Sequence, residues 1–130
     1  VRRGKTKVEK VDAVEALKWQ LKRMAHWIPW PVPEYRFHPT REYRLDLCWP
    51  SVGIKVGVEI DGGIWRTGGG AHTGTGHIRD IRKGNAAILL GYRVLHFVPE
   101  DIVTSSGRTI PTALDDIVEL FRTLGYKETR

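Results

Sequence analysis

Residues 57–65 read GVEIDGGIW, and Glu59 and Asp61 are two carboxylates two residues apart on an otherwise apolar strand. Side chains at that spacing share one strand face, about 6.6 Å apart. Asp46 sits in the preceding strand candidate, YRLDLCW, and a short connection lets it come alongside. Carboxylates gathered at adjacent strand ends repel unless a cation holds them, and oxygen donors of this kind suit Mg²⁺ or Mn²⁺. Such an ion binds a phosphate oxygen, lowers the pKa of a water and stabilises charge on a leaving oxygen. Acids also occur at ordinary solvated strand ends. The third carboxylate, the glycines that follow and the basic charge of the chain weigh toward a metal site.

That charge is +6 over 130 residues, with a pI of about 9.7. It points to an acidic partner, with nucleic acid first, against the alternative of ordinary solubility charge. Arg2, Arg3, Lys5, Lys7 and Lys10 crowd the start, a basic N-terminal arm over 1–10. Arg36, Arg41 and Arg44 flank the first strand region, and Arg79, Arg82 and Lys83 open a later helix. Asp115, Asp116 and Glu119 leave the far end more acidic. Cys48 is the only cysteine, which excludes an intramolecular disulfide and fits a reducing, cytoplasmic setting. No apolar run approaches a membrane span, and no hydrophobic signal segment follows the basic start. The expectation is a soluble intracellular protein with no membrane partner.

The elements that must position the acids follow from periodicity. Val11, Val14, Leu17, Leu21, Met24 and Ile28 recur at spacings of three and four, which predicts a helix over about 8–27. The prolines of PWPVP stop it. EYRF (34–37) and YRLDLCW (43–49) read as strands, the second with Arg44, Asp46 and Cys48 on one face and Tyr43, Leu45, Leu47 and Trp49 on the other. IKVGVEID (54–61) is a third strand, with Val56, Val58 and Ile60 opposite Glu59 and Asp61. Residues 62–76 form a glycine-rich loop. A helix over about 78–90 ends at Gly91, YRVLHFV (92–98) is a fourth strand, and IPTALDDIVELFRTLG is a last helix. The order αβββαβα predicts one α/β domain over 1–130.

Asp46, then Glu59 on the next strand, within this order of elements, resembles the PD-(D/E)XK nuclease superfamily, also called restriction-endonuclease-like. Its core is αβββαβ, a mixed central sheet flanked by helices, and its motif is an Asp followed after a gap by Glu-x-Lys. The spacing of Glu15, Asp46 and Glu59 is similar to that of archaeal-type Holliday-junction resolvases. The run from EIDGGIW to GYRVLHF looks like a group of phage and bacterial endonucleases of this fold. The resemblance covers nearly the whole chain. It implies Asp46, Glu59, the backbone carbonyl of Ile60 and a helix acid, Glu15, as metal ligands. It also implies a cut that leaves a 5′-phosphate and a 3′-hydroxyl.

Two positions depart from the pattern. Leu45 replaces a proline, which matters little. Asp61 stands where the family carries the lysine thought to orient the attacking water. Its role then passes to another residue or to the metal, and Asp61 becomes a further catalytic or ligand carboxylate. Lys83 is the available replacement donor. Against it, Ile81, Ile88 and Leu89 define the predicted buried face of that helix, and Lys83 lies roughly opposite, where a solvated lysine is the plainer reading. Glu15 likewise lies away from its helix's apolar stripe, on a face shared with Trp19 and Lys22. Asn85 falls within the predicted buried stripe of its helix, where an amide must be hydrogen-bonded, either to backbone or in support of a carboxylate.

The loop fails as a nucleotide site: Thr75 and Gly76 stand where a phosphate loop needs Lys and Ser or Thr, and GTGHIR lacks the third glycine of a dinucleotide fingerprint. Its glycines suit a chain passing close to a DNA backbone. His72 and His77 read as a zinc pair short of ligands, as phosphate or proton-transfer groups, or as plain loop histidines. The five tryptophans read mainly as core or interface anchors, with Trp65 open to base stacking.

The expected function is a Mg²⁺- or Mn²⁺-dependent endodeoxyribonuclease acting on branched DNA, in the manner of a Holliday-junction resolvase. Asp46, Glu59, Asp61 and Lys83 are the catalytic candidates. Arg2, Arg3, Lys5, Lys7, Arg44, Arg66, His72, His77 and Arg79 are the DNA-contact candidates. Symmetric cutting of a junction implies a C2 homodimer by family analogy. The alternatives are a nicking or mismatch-repair endonuclease of the same fold, and a DNA-binding module without catalysis.

Overall fold

The computed structural model describes residues 8–62 and 74–129. Its elements run α1 (Lys10–Met24), β1 (Val32–Arg36), β2 (Arg44–Trp49), β3 (Val56–Ile60), α2 (Gly74–Leu89), β4 (Arg93–Phe97) and α3 (Thr112–Thr123), with a 3₁₀ turn at Pro99–Asp101. Among the described residues the expected order of helices and strands is present, and the class is α/β with a four-stranded mixed sheet and three helices. The chain divides into two compact units: Val1–Trp30 with Phe97–Arg130, and Pro31–His96. Among the described residues no helix is long and apolar enough to cross a membrane.

In the first unit α1 buries Ala13, Leu17 and Leu21, and α3 buries Ala113, Leu114, Ile117 and Phe121. Val11 and Met24, expected in the buried stripe of α1, are exposed at its two ends. The helix stops at Met24 because Ala25 leaves helical geometry, although its N–H still bonds the Leu21 carbonyl. Gln20 is the buried polar residue of α1. Its amide donates to the carbonyls of Ile102 (3.5 Å) and Ile110 (3.2 Å), tying the segment before α3 to the helix.

The second unit carries the sheet, in the order β1-β2-β3-β4. β1 to β2 and β2 to β3 are antiparallel. β4 returns beside β3 after the α2 crossover, the kind of connection a parallel neighbour requires. β1 starts at Val32, earlier than EYRF predicts, and takes in Pro33; an edge strand tolerates a residue with no N–H. β3 starts at Val56 rather than Ile54, because Lys55 adopts a left-handed φ of 48°. From there its Nζ donates to the Leu90 carbonyl at 2.8 Å and lies 5.0 Å from the Tyr92 ring centroid, a cation at the C-terminus of α2. Gly91, at φ 91°, ends that helix as expected. α2 starts at Gly74, inside the predicted loop, since glycine weakens a helix without forbidding it.

The face that α2 buries differs from the predicted one. Ile81, Ile88 and Leu89 are exposed, as is Asn85. The helix instead lays Ala86, Ala87 and Leu90 against Phe37, Tyr43, Leu45, Cys48 and Tyr92. Small residues let the helix axis approach this bulky aromatic cluster, a fit that hydrophobicity alone does not reveal. Strict alternation in β2 also fails: Leu45 packs in the same cluster as Cys48, which a regular strand puts on the opposite face.

Leu45 reaches that cluster by lying over Gly57. A Cβ at Gly57 would stand 2.6 Å from Leu45 Cδ1, and Leu45 is 1% exposed with little room to turn away. Gly57→Ala is therefore expected to destabilise by about 1–3 kcal/mol. Urea unfolding measures this, and pairing the change with Leu45→Ala should give less than the sum of the two costs.

Candidate active site

The β2–β3 ladder pairs Trp49 with Val56, Cys48 with Gly57 and Leu47 with Val58. One step further, where Asp46 and Glu59 come opposite, side chains take over the exchange. The Asp46 N–H donates to Glu59 Oε2 at 3.1 Å, and the Ile60 N–H donates to Asp46 Oδ2 at 2.7 Å. Each carboxylate thus holds the backbone of the other's strand. Both are part-buried, and two negative charges are brought together at the point where the strands part.

The compensating charge comes from α2. Lys83 Nζ lies 2.9 Å from Glu59 Oε1, with the two side chains 19% and 12% exposed. The reading that put Lys83 on a solvated face is corrected: the packing of Ala86, Ala87 and Leu90 turns Lys83, on the same side of the helix, toward the sheet. This pairing places a lysine beside Glu59 even though position 61 is an acid.

Asp61 makes a different contact. Its Oδ2 lies 3.2 Å from Nδ1 of His96, on β4, with both groups substantially exposed. The Asp61 hydrogen bond is the main influence raising the His96 pKa above its ordinary 6.5. Partial burial opposes it, the charges of Asp61 and Glu59 add to it, and Lys83 lowers it. A raised folded-state value means the pair stabilises the fold fully below about 6.5, and that contribution fades as pH rises through the folded-state pKa. Proton NMR titration in EDTA should therefore find a His96 midpoint above 6.5, falling toward 6.5 in Asp61→Asn. The stability gap between the two proteins should be widest on the acid side.

His96 was missed in the sequence. The available signal was a lone polar residue in the apolar run VLHFV (94–98), on a strand whose neighbour ends in Glu59 and Asp61. Cys48 is excluded as a nucleophile near neutral pH, since burial, opposed by a Tyr92 hydrogen bond, pushes its thiol up to about 12. Among the described residues no group of three or more His, Cys, Asp and Glu converges as a metal cage.

The other described candidates make contacts of their own. Glu15 is exposed on α1, in the first unit, and pairs with Lys18 at 3.2 Å. Arg44 reaches the Glu42 carboxylate at 3.5 Å and the Glu34 carbonyl at 3.4 Å. Arg79 donates to the Glu42 carbonyl at 3.3 Å, and His77 is exposed on α2. Of the tryptophans, Trp49 is core, whereas Trp19 and Trp30 are half exposed. Arg2, Arg3, Lys5, Lys7, Arg66, His72 and Trp65 lie outside the described residues. Comparisons with protein families, with curated proteins and with solved structures found no match to this chain.

Proposed function

We propose that this chain is a divalent-metal-dependent DNA endonuclease with a restriction-endonuclease-like core. The observation that carries the reading is the meeting of Asp46 and Glu59 where β2 and β3 part, with Lys83 2.9 Å from Glu59. Two carboxylates joined by a cation from a neighbouring helix supply the components of the Asp and Glu-x-Lys motif, the lysine arriving from α2 instead of position 61. The donor set fits Mg²⁺, which takes one or two carboxylates and completes its shell with water and phosphate oxygens. Asp46 and Glu59 would hold the ion, which when bound supplies Lewis-acid polarisation of the phosphate and a water of lowered pKa. Lys83 supplies a positive group at the carboxylates that offsets charge on the phosphate and orients the attacking water by hydrogen bonding. His96, oriented by Asp61, can hand a proton to the leaving oxygen.

All of these groups belong to the Pro31–His96 unit. Within this reading the substrate is branched DNA and the enzyme is a C2 homodimer, both inferred from the family resemblance. A nicking or mismatch-repair endonuclease uses the same residues. One observation favours a DNA-binding module without catalysis: Glu59 is satisfied by protein groups at both oxygens, by Lys83 and by the Asp46 N–H.

One assay separates these readings. Four-way, linear and single-stranded DNA are incubated with Mg²⁺ and with wild type or Asp46→Asn. Cleavage of junctions by wild type alone, with DNA binding retained in the variant, is the expected result. Binding without cleavage of any substrate selects the inactive module, and equal rates on linear duplex and junction remove the resolvase assignment.

A further inference from the structure

A second basic feature lies in the same unit, outside the carboxylate cluster. Arg41, Glu42 and Tyr43 from the turn before β2, with Ile78, Arg79 and Arg82 from the start of α2, line an open cleft of about 510 Å³. That volume is within the range of ligand clefts.

The cleft is held in shape. The Arg41 N–H donates to His38 Nδ1 at 3.0 Å, and the Arg41 carbonyl accepts from Arg36 Nε at 3.0 Å, so the turn carrying Arg41 is tied on both sides of that residue. Arg79 is anchored to the Glu42 carbonyl at 3.3 Å. Both guanidinium groups lie over the ring of buried Tyr43, 5.7 Å and 5.3 Å from its centroid. Among the described residues the one carboxylate in the lining is Glu42, engaged by Arg36 at 3.8 Å and Arg44 at 3.5 Å. Three arginines thus converge on one cleft, and Glu42 in its lining is already claimed by two other arginines. Like charges gathered in this way repel one another, and the face of a tyrosine ring offsets only part of that cost. An anion with several oxygens resolves it, since planar guanidinium groups match phosphate geometry.

We infer that this cleft is a phosphodiester-binding site that grips the backbone of a DNA strand beside the carboxylate cluster. Arg41, Arg79 and Arg82 are the phosphate ligands, and Tyr43 is the platform that orients two of them. Arg82 immediately precedes Lys83, and Tyr43 lies three residues before Asp46, so the cleft is built from the same two segments that carry the candidate active site. The identity of the anion rests on the nuclease reading above; the convergence of the arginines does not.

The test is DNA affinity in EDTA, where cleavage cannot occur, read by fluorescence anisotropy on a labelled duplex over a range of salt. The triple variant Arg41→Ala, Arg79→Ala, Arg82→Ala is compared with wild type and with the corresponding triple lysine variant. Loss of three phosphate contacts should lower the slope of log K against log salt by about 2–3 and weaken binding at least about tenfold near 0.1 M salt. The lysine variant should keep most of the slope, and circular dichroism of both variants checks the fold. Unchanged affinity and slope in a folded alanine variant, with wild type still binding and cleaving DNA, overturns the cleft and leaves the nuclease reading standing. The converse is also readable with inorganic phosphate as probe. If wild type neither binds nor cuts DNA, a phosphate-induced rise in Tm that the alanine variant lacks keeps the anion cleft while the nuclease reading falls. No rise in that case overturns both.

Discussion

If the chain is the proposed nuclease, Glu59→Gln is expected to abolish its Mg²⁺-dependent cleavage, lowering the rate by at least about 10³-fold, equivalent to about 4 kcal/mol of transition-state stabilisation. The change preserves shape. A glutamine oxygen can still accept the Asp46 N–H that Glu59 Oε2 now accepts at 3.1 Å. What disappears is the negative charge that faces Lys83 and that would hold an ion. The variant should therefore keep its fold and its affinity for DNA while losing rate. Its stability should fall by about 1–3 kcal/mol, because Lys83, mostly buried, is left beside a neutral partner. Initial rates on labelled DNA over a Mg²⁺ titration, with anisotropy for binding and urea unfolding for stability, read the three effects separately. Wild-type rates in this variant would remove Glu59 from the chemistry.

Lys83→Ala tests the correction that the tertiary structure makes. If Lys83 takes the part of the missing motif lysine, the alanine variant should lose about 10²–10³-fold in rate with little change in the Mg²⁺ concentration needed for half-maximal activity. Lys83→Arg should recover part of that loss, because a guanidinium can reach the same carboxylate but with different geometry. The alanine change also leaves Glu59, 12% exposed, without its ion-pair partner. Breaking a well-buried pair costs several kcal/mol, and partial solvent access at this site brings the expected cost to about 2–3 kcal/mol. A double-mutant cycle with Glu59→Gln should show strong coupling, the double variant losing far less stability than the two single changes predict together. A merely structural lysine would show the coupling in stability while kcat stays near wild type.

Much of this site is legible in the sequence. Glu59 and Asp46 stand out because a strand that is apolar elsewhere has no packing use for a carboxylate. Their proximity follows from two strands joined by a short connection. Asp61 was legible as an acid at the strand end but not as the partner of His96, 35 residues away on β4. No local pattern couples two such positions. In the sequence Lys83 reads as a replacement donor on the wrong helix face, because large apolar residues ordinarily mark burial. On α2 they do the reverse: Ile88 is 68% and Leu89 85% exposed, while Ala87 is 1%.

The sequence by itself determined the order of helices and strands, the α/β class and the pairing of Asp46 with Glu59. Each depends on periodicity and on contacts between neighbouring segments. The tertiary structure alone decided which way α2 faces, where β2 abandons alternation and which cation meets Glu59. Those outcomes depend on shape. Alanines let the helix settle against a cluster of aromatic rings, Leu45 finds room only over a residue without a side chain, and the rotation that satisfies this packing carries Lys83 to the carboxylates.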